Sequence, residues 1–256
     1  MTAPSPTSRP RRLLLWAVGA VAAVALLVVG GTWIYINVIR DDAPDRLTFT
    51  DDEAPTTTAA GDAAPATTAP PTTAPPATAP SASGDPTGTW APGPGSVAGY
   101  RVAEILFGQS VEAVGRTEEL AGSVEIDGTT IAAAEIVVDL ASVESDDGRR
   151  DNQFRGRIMD VATFPTATFR LTGPVDVGEV PSGDDEITVE AAGELTLRDV
   201  TRPVVATLQA RLVDDTIEVL AEIPVVFSDH DIPAPSVPGI DVEDDGLIEV
   251  RLVLVR

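Results

Sequence analysis

From about Thr89 onward the chain alternates apolar and polar residues with a period of two. Ile136, Val138 and Leu140 interleave with Glu135, Val137 and Asp139, and Ile217, Val219, Ala221, Ile223, Val225 and Phe227 interleave with Glu218, Leu220, Glu222, Pro224 and Val226. Similar runs cover Val124 to Asp127, Thr168 to Leu171, Ile187 to Leu197, Val204 to Leu212 and Leu247 to Val255, bounded by Gly, Asp and Pro. A strand turns successive side chains to opposite faces, so each run presents one apolar face and one largely polar face. With Gly99 to Phe107 added, and Ile187 to Leu197 divided at Gly193, the pattern predicts about eight strands. This is an all-β, antiparallel reading, with strands wrapped around an interior and wet outside. Closing them into an eight-stranded barrel removes both edges and leaves an interior that is filled by side chains or holds one small apolar ligand; a sandwich is the alternative. The exception is Arg149 to Asp160, where Phe154 and Ile158 stand four apart and Asp146 or Asp147 can cap the start of one short helix.

Two unlike segments precede the strands. Leu13 to Ile39 is an uncharged apolar run whose 27 residues, if helical, span about 40 Å, more than the roughly 30 Å hydrocarbon core of a bilayer. It predicts a membrane helix over 13–39; a cleaved signal peptide is the competing reading, although its apolar core would ordinarily be shorter. Arg9, Arg11 and Arg12 precede the run, and Asp41, Asp42 and Asp45 outnumber Arg40 and Arg46 after it, so residues 1–12 are expected in the cytoplasm and everything after residue 40 outside. The predicted location is therefore the cell membrane, single-pass, with an extracytoplasmic domain. Residues 40–88 are built from Thr, Ala, Pro, Ser and Asp, cannot bury enough apolar surface to offset chain entropy, and are expected to form a disordered linker with partial polyproline II character. Residues 89–256 are the predicted barrel domain.

Composition removes several functions. The chain has no Cys, which excludes disulfide scaffolds, thiol catalysis and Cys-based metal sites, and nothing in it calls for a cofactor. The net charge of -23 falls mostly on the strand-bearing segment, which speaks against nucleic acid as a partner because phosphate binding needs clustered cations.

Two stretches carry a resemblance. Arg149-Arg150-Asp151-Asn152-Gln153-Phe154 continues through Met159-Asp160 to Phe164-Pro165-Thr166-Ala167-Thr168-Phe169, and Gly193-Glu194-Leu195-Thr196-Leu197-Arg198-Asp199-Val200-Thr201-Arg202-Pro203-Val204 follows. In order and spacing these resemble the central helix–strand signature and the later hairpin of the YceI-like family, with Asp199 standing where the family usually has Gly. Tyr100, Val102 and Gly122 match less specifically. The resemblance implies a closed, elongated, lipocalin-like antiparallel barrel that holds a long isoprenoid or other amphiphilic lipid, in a family that is mostly periplasmic or secreted and has no recognised catalytic constellation.

The candidate ligand-binding residues are the inward phase of the strands together with the helix: Tyr100, Val102, Ile136, Val138, Leu140, Phe154, Ile158, Met159, Phe164, Phe169, Leu171, Leu195, Leu197, Val219, Ile223, Phe227, Val250, Leu252 and Leu254. A lipid tail needs a continuous apolar tunnel, each CH₂ it buries being worth about 0.8 kcal/mol. The same residues would equally make a dry, filled core. Ala206, Ala210 and Ala221, on inward phases, leave room for a guest or face bulky neighbours. Arg149, Arg150 and Arg155, with Arg157, form the one dense basic cluster of the domain; they meet a pyrophosphate or carboxylate headgroup, or they form salt bridges to Asp146, Asp147, Asp151 and Asp160.

Other chemistry is thinly supported. His230, the only His, sits in Ser228-Asp229-His230-Asp231, so a Ser–His–Asp set is arithmetically available, but no G-x-S-x-G elbow accompanies it and a solvated loop His is expected. Asp241 to Gly246 has the acids and Gly of a calcium loop, but its twelfth position is Leu252. The sequence therefore predicts a non-enzymatic, membrane-anchored lipid-binding barrel. The alternative is a structural or adhesive envelope module with a filled barrel and no lipid.

Overall fold

The computed structural model describes residues 43–49, 85–106, 109–181, 185–213, 215–233, 236–237 and 240–256. The predicted membrane helix and most of the predicted linker lie outside them, and among the described residues no helix is long and apolar enough to cross a membrane.

Among the described residues the chain forms fourteen strands: β1 (Gly88–Pro92), β2 (Val97–Leu106), β3 (Gln109–Thr117), β4 (Leu120–Asp127), β5 (Thr130–Asp139), β6 (Glu144–Ser145), β7 (Thr166–Leu171), β8 (Val175–Asp176), β9 (Ile187–Leu197), β10 (Val200–Val213), β11 (Thr216–Val226), β12 (Ser236–Val237), β13 (Ile240–Val242) and β14 (Asp245–Val255). Several are pieces of one bent stave. β1 and β2 together run antiparallel to β4 and β3, with Trp90 opposite Val124 and Ala98 opposite Thr117. β5 continues into β6, which pairs with β3. Sequence-adjacent staves then follow through β7, β9, β10 and β11 to β14. The ring closes where β14 meets both pieces of the first stave, Pro92 opposite Leu254 and Val97 opposite Arg251. The result is a closed eight-stave antiparallel barrel, which resolves the choice between barrel and sandwich.

β1 escaped the sequence reading because its Gly-Thr-Trp-Ala-Pro run, followed by two more glycines, resembles linker. The fold also reaches back to Asp85, since the Trp90 indole N–H donates to the Pro86 carbonyl at 2.8 Å and the Arg256 guanidinium lies 4.4 Å from the Trp90 ring centroid. β9 runs unbroken through Gly193, against the predicted division there. The Phe169 ring of β7 lies over Gly193, and a Cβ at that position would run into it. Gly193 therefore makes space for an aromatic ring inside the barrel instead of ending a strand.

The predicted helix is present in two parts. The helix α1 (Gly148–Gln153) is capped by the Asp147 carboxylate, which accepts from the Arg149 N–H at 2.8 Å. It passes into a π turn over Phe154–Ile158, in which the Met159 N–H donates to the Phe154 carbonyl at 2.9 Å. Five α-helical steps would rotate Met159 about 140° away from Phe154. Closure from i to i+5 brings the two onto one side, and both are buried in the barrel core.

The barrel's outer wall is less wet than its pattern implies. Arg101, Glu249, Arg251, Arg211 and Glu218 point outward yet are buried. Residues 43–49, which the sequence assigns to the linker, lie across them. The carbonyls of Pro44, Asp45 and Thr48 accept from Arg101 (2.8 Å), Arg116 and Arg251 (3.3 Å). Arg46 pairs with Glu222 at 2.6 Å, and Phe49 is buried under the Arg211 guanidinium, 4.5 Å from ring centroid to Cζ. Beneath this strap Arg101 bonds Glu249 at 2.7 Å and Glu112 at 2.6 Å, and Arg211 bonds Glu218 at 2.8 Å. Burial works against the Arg101 charge, but Glu249 and Glu112 outweigh it and hold the guanidinium above its ordinary range.

Candidate lipid-binding interior

Among the described residues, three adjoining apolar cavities lie inside the barrel. The first, about 160 Å³, lies at the α1 end, walled by Tyr100, Val102, Val138, Leu140, Phe154, Ile158, Met159, Leu197 and Phe227, among others. The second, about 110 Å³, occupies the middle, between Ile136, Phe169, Leu171, Leu195, Val219, Ile223, Val250, Leu252 and Leu254. The third, about 70 Å³, lies at the opposite end beside Pro86, Val177 and Ile217. They adjoin: Val138, Ala167 and Ile248 wall both the first and second, and Val124, Ile131, Val219 and Leu254 both the second and third. An apolar cavity of about 150 Å³ stays dry and admits a benzene-sized guest, so the first chamber alone is ligand-sized.

The interior is hollow because its inward residues are small where their neighbours are large. Ala206 and Ala221 face the middle chamber and Ala210 the far one, across from branched residues of β14 and β5. Val219, Ala221 and Ile248 point inward but are only half-buried, and the surface they keep faces the cavities.

Between the first two chambers, polar residues are concentrated at the α1 end. Tyr100, Glu104 and Arg150 border the first chamber, whereas among the described residues Thr168 alone brings a polar side chain to the second. Tyr100 lies over Gly115, its cross-strand partner, and stacks on Phe154 with ring centroids 5.1 Å apart. Burial pushes its phenol up to about 12, with the Arg150 charge opposing. Arg150 forms an ion pair with Asp146 four residues earlier. Burial disfavours its charge, but Asp146 and Glu104 outweigh that and raise it above its ordinary range.

The basic cluster separates into distinct roles. Arg150 borders the cavity and also makes the predicted salt bridge. Arg149 is exposed on α1, away from the cavity wall. Arg155 points back along the chain, donating to the Ala141 and Val143 carbonyls at 2.9 Å each, and so pins the loop before α1. Phe164 is the one predicted apolar site residue that walls none of the three chambers; it lies under the Arg198 guanidinium, 5.5 Å from its ring centroid. It follows the π turn and precedes β7, so the strand's inward phase does not extend to it. The sequence reading missed Ile248, Leu208, Ala167, Val225 and Ile232. Ile248, Leu208 and Val225 share the inward phase of residues it named; Ile232 comes from the connection after β11 and carries no periodic signal.

His230 corrects an expectation, because it is buried instead of solvated, in a 3₁₀ turn over Phe227–His230 that folds onto the β9–β10 hairpin. Its Nδ1 lies 3.0 Å from the Val200 carbonyl and donates to it, while the Ser228 hydroxyl donates to Asp244 at 2.8 Å. The His and Ser are thus bonded to different partners. The calcium-like stretch is strand, turn and strand, shared between β13 and β14.

At the hairpin itself, Arg198 and Asp199 form a two-residue loop with φ of 49° and 60°. That is a type I′ turn, which explains why Gly suits the position Asp199 holds.

Comparison with known proteins agrees with this architecture. Residues 95–254 match the family model described as the YceI-like domain. Comparison with curated proteins gives no match. Among solved structures, a polyisoprenoid-binding domain from Saccharophagus degradans, implicated in plant cell wall breakdown, is 18% identical with a TM-score of 0.52, covering 65% of this chain and 97% of that one. Burkholderia cenocepacia BcnA is 20% identical with a TM-score of 0.46, covering 60% and 95%. The YceI protein of Campylobacter jejuni is 18% identical with a TM-score of 0.43, covering 54% and 83%. The family model spans the staves from β2 through β14 and includes both motifs read from the sequence, so the chain belongs to the YceI-like family.

Proposed function

We propose that the barrel holds one long-chain amphiphilic lipid, of polyisoprenoid type, outside the cytoplasmic membrane, with residues 13–39 as its anchor. The observation that carries this reading is the train of adjoining apolar chambers, the first of them bordered by Tyr100, Glu104 and Arg150. An amphiphile lodged there lays its tail through the second and third chambers and its head beside Tyr100, Glu104 and Arg150. Tail burial at about 0.8 kcal/mol per CH₂ supplies the affinity, and the shape of the middle chamber limits branching and length. Arg150 favours an anionic head such as a pyrophosphate or carboxylate, which it can reach while retaining Asp146. The relative from Saccharophagus degradans, described as polyisoprenoid-binding, supports the choice of tail.

Native mass spectrometry of residues 43–256, purified without detergent, tests the reading. One long-chain lipid per barrel is the expected result. A barrel that purifies empty and takes up no lipid from vesicles refutes it.

A further inference from the structure

The strap does more than shield charges, because it runs in a definite direction along the barrel. Its first residues meet Arg101, whose neighbours Tyr100 and Val102 wall the first chamber. Its last, Phe49, meets Arg211, whose neighbours Ala210 and Leu212 wall the third. Pro44 therefore lies toward the α1 end of the barrel and Phe49 toward the opposite end. Residue 85, where the described chain resumes, is also at that opposite end, its carbonyl accepting from Arg256. Phe49 and Asp85, the described residues on either side of the interval 50–84, thus lie at the same end of the barrel.

Chain length then sets the geometry. Five chain steps separate Ile39, the end of the apolar run, from Pro44, the first strap residue held by the wall. Fully extended they reach at most about 18 Å. On β11 the first chamber is walled by Val225 and the third by Ile217, and that length of strand covers about 26 Å. A linker free from residue 40 to 88 would instead allow about 150 Å of reach.

We propose that the strap seats the barrel against the bilayer surface with its α1 end facing the headgroups, so that a lipid passes between bilayer and first chamber without crossing water. The inference rests on the lipid-holding and anchor readings above, and its occupant is the phospholipid surface in which the chain is itself embedded. Three charge-assisted bonds to strap carbonyls and the buried Phe49 hold this arrangement.

The absence of native Cys makes a direct test simple. The full chain is reconstituted in phosphatidylcholine vesicles carrying a headgroup quencher, with a fluorophore attached through Asn152→Cys on α1 or Glu179→Cys at the opposite end, both exposed positions. The Asn152→Cys label is expected to be strongly quenched and the Glu179→Cys label little affected. Arg46→Glu with Phe49→Ser, both in the strap and outside the barrel wall, removes the difference. Equal quenching in the strap-intact chain, a reversed order, a difference that survives strap release, or a chain that does not float with the vesicles overturns the proposal. Lipid occupancy is read separately by extraction. Asymmetric quenching with an empty barrel supports the orientation while removing the lipid-holding reading, and equal quenching with an occupied barrel does the reverse.

Discussion

Ala221→Leu separates a hollow barrel from a filled one by the sign of its effect. Ala221 sits on β11 with its side chain in the wall of the middle chamber, about 110 Å³, and keeps accessible surface there. Leu adds three carbons at the point where the tail must pass. Displacing three tail CH₂ groups costs the complex about 2.4 kcal/mol, or roughly a 50-fold weaker affinity. The empty protein responds the other way, because filling an existing void typically adds about 0.5–2 kcal/mol of stability. Were the middle of the barrel already close-packed, the same substitution would cost about 1–3 kcal/mol through strain. Urea unfolding of the delipidated protein gives the stability change, and titration with a fluorescent long-chain fatty acid gives the affinity. Lower stability with unchanged affinity would refute the cavity argument.

The alkaline limb of stability should belong largely to Tyr100. Its phenol is raised to about 12 against about 10 unfolded, so the native state retains a proton that the unfolded chain has lost; stability is full below about pH 10 and falls by about 2–3 kcal/mol as pH rises to 12, a loss that Tyr100→Phe should abolish in urea melts at pH 9 and 12. Arg155→Ala should lower stability by about 2 kcal/mol through the two carbonyls it leaves, with unchanged affinity for any lipid, as read by the same melts and titration. Arg150→Met should weaken an anionic lipid by about 10- to 100-fold relative to its alcohol, the worth of one charged hydrogen bond; equal losses for both would remove the headgroup role. Asp199→Gly should raise the unfolding midpoint by relieving a left-handed residue, gaining about 0.5–1 kcal/mol, and no gain would mean that Asp bears the type I′ geometry without strain.

The interior was legible from sequence because strand alternation is a local property. Val219, Ile223, Val250 and Leu252 declare their face by their neighbours two residues away, and the structure places each in a cavity wall. The motif residues fixed the position of the helix as well, although the π turn that aligns Phe154 with Met159 has no such periodic mark. Phe164 lies outside that alternation, since its place is set by a turn and not by a strand phase. The outer wall was misread for a different reason. Arg101, Glu249 and Arg251 look like solvated outward positions on any strand, and their burial depends on a segment some two hundred residues away from β14 in the chain. His230 failed likewise, because a Pro-rich surrounding suggests solvent while the hairpin that covers it lies thirty residues earlier.

Closing the ring through β14 also orders the events of assembly. β1 and β2 lack their outer partner until residues 245–256 have arrived, and those pairings join positions more than 140 residues apart, the class of contact that forms last. The strap rests on β14 too, through Arg251, so it can be clasped only after closure. A chain whose last strand has not yet paired therefore carries an open sheet with bare edges and an uncovered apolar face. A lesion confined to β14, such as Val250→Asp, should accordingly trap the chain before maturation and leave it as prey for proteases, with none of the altered cargo preference that a defect in a finished barrel would give.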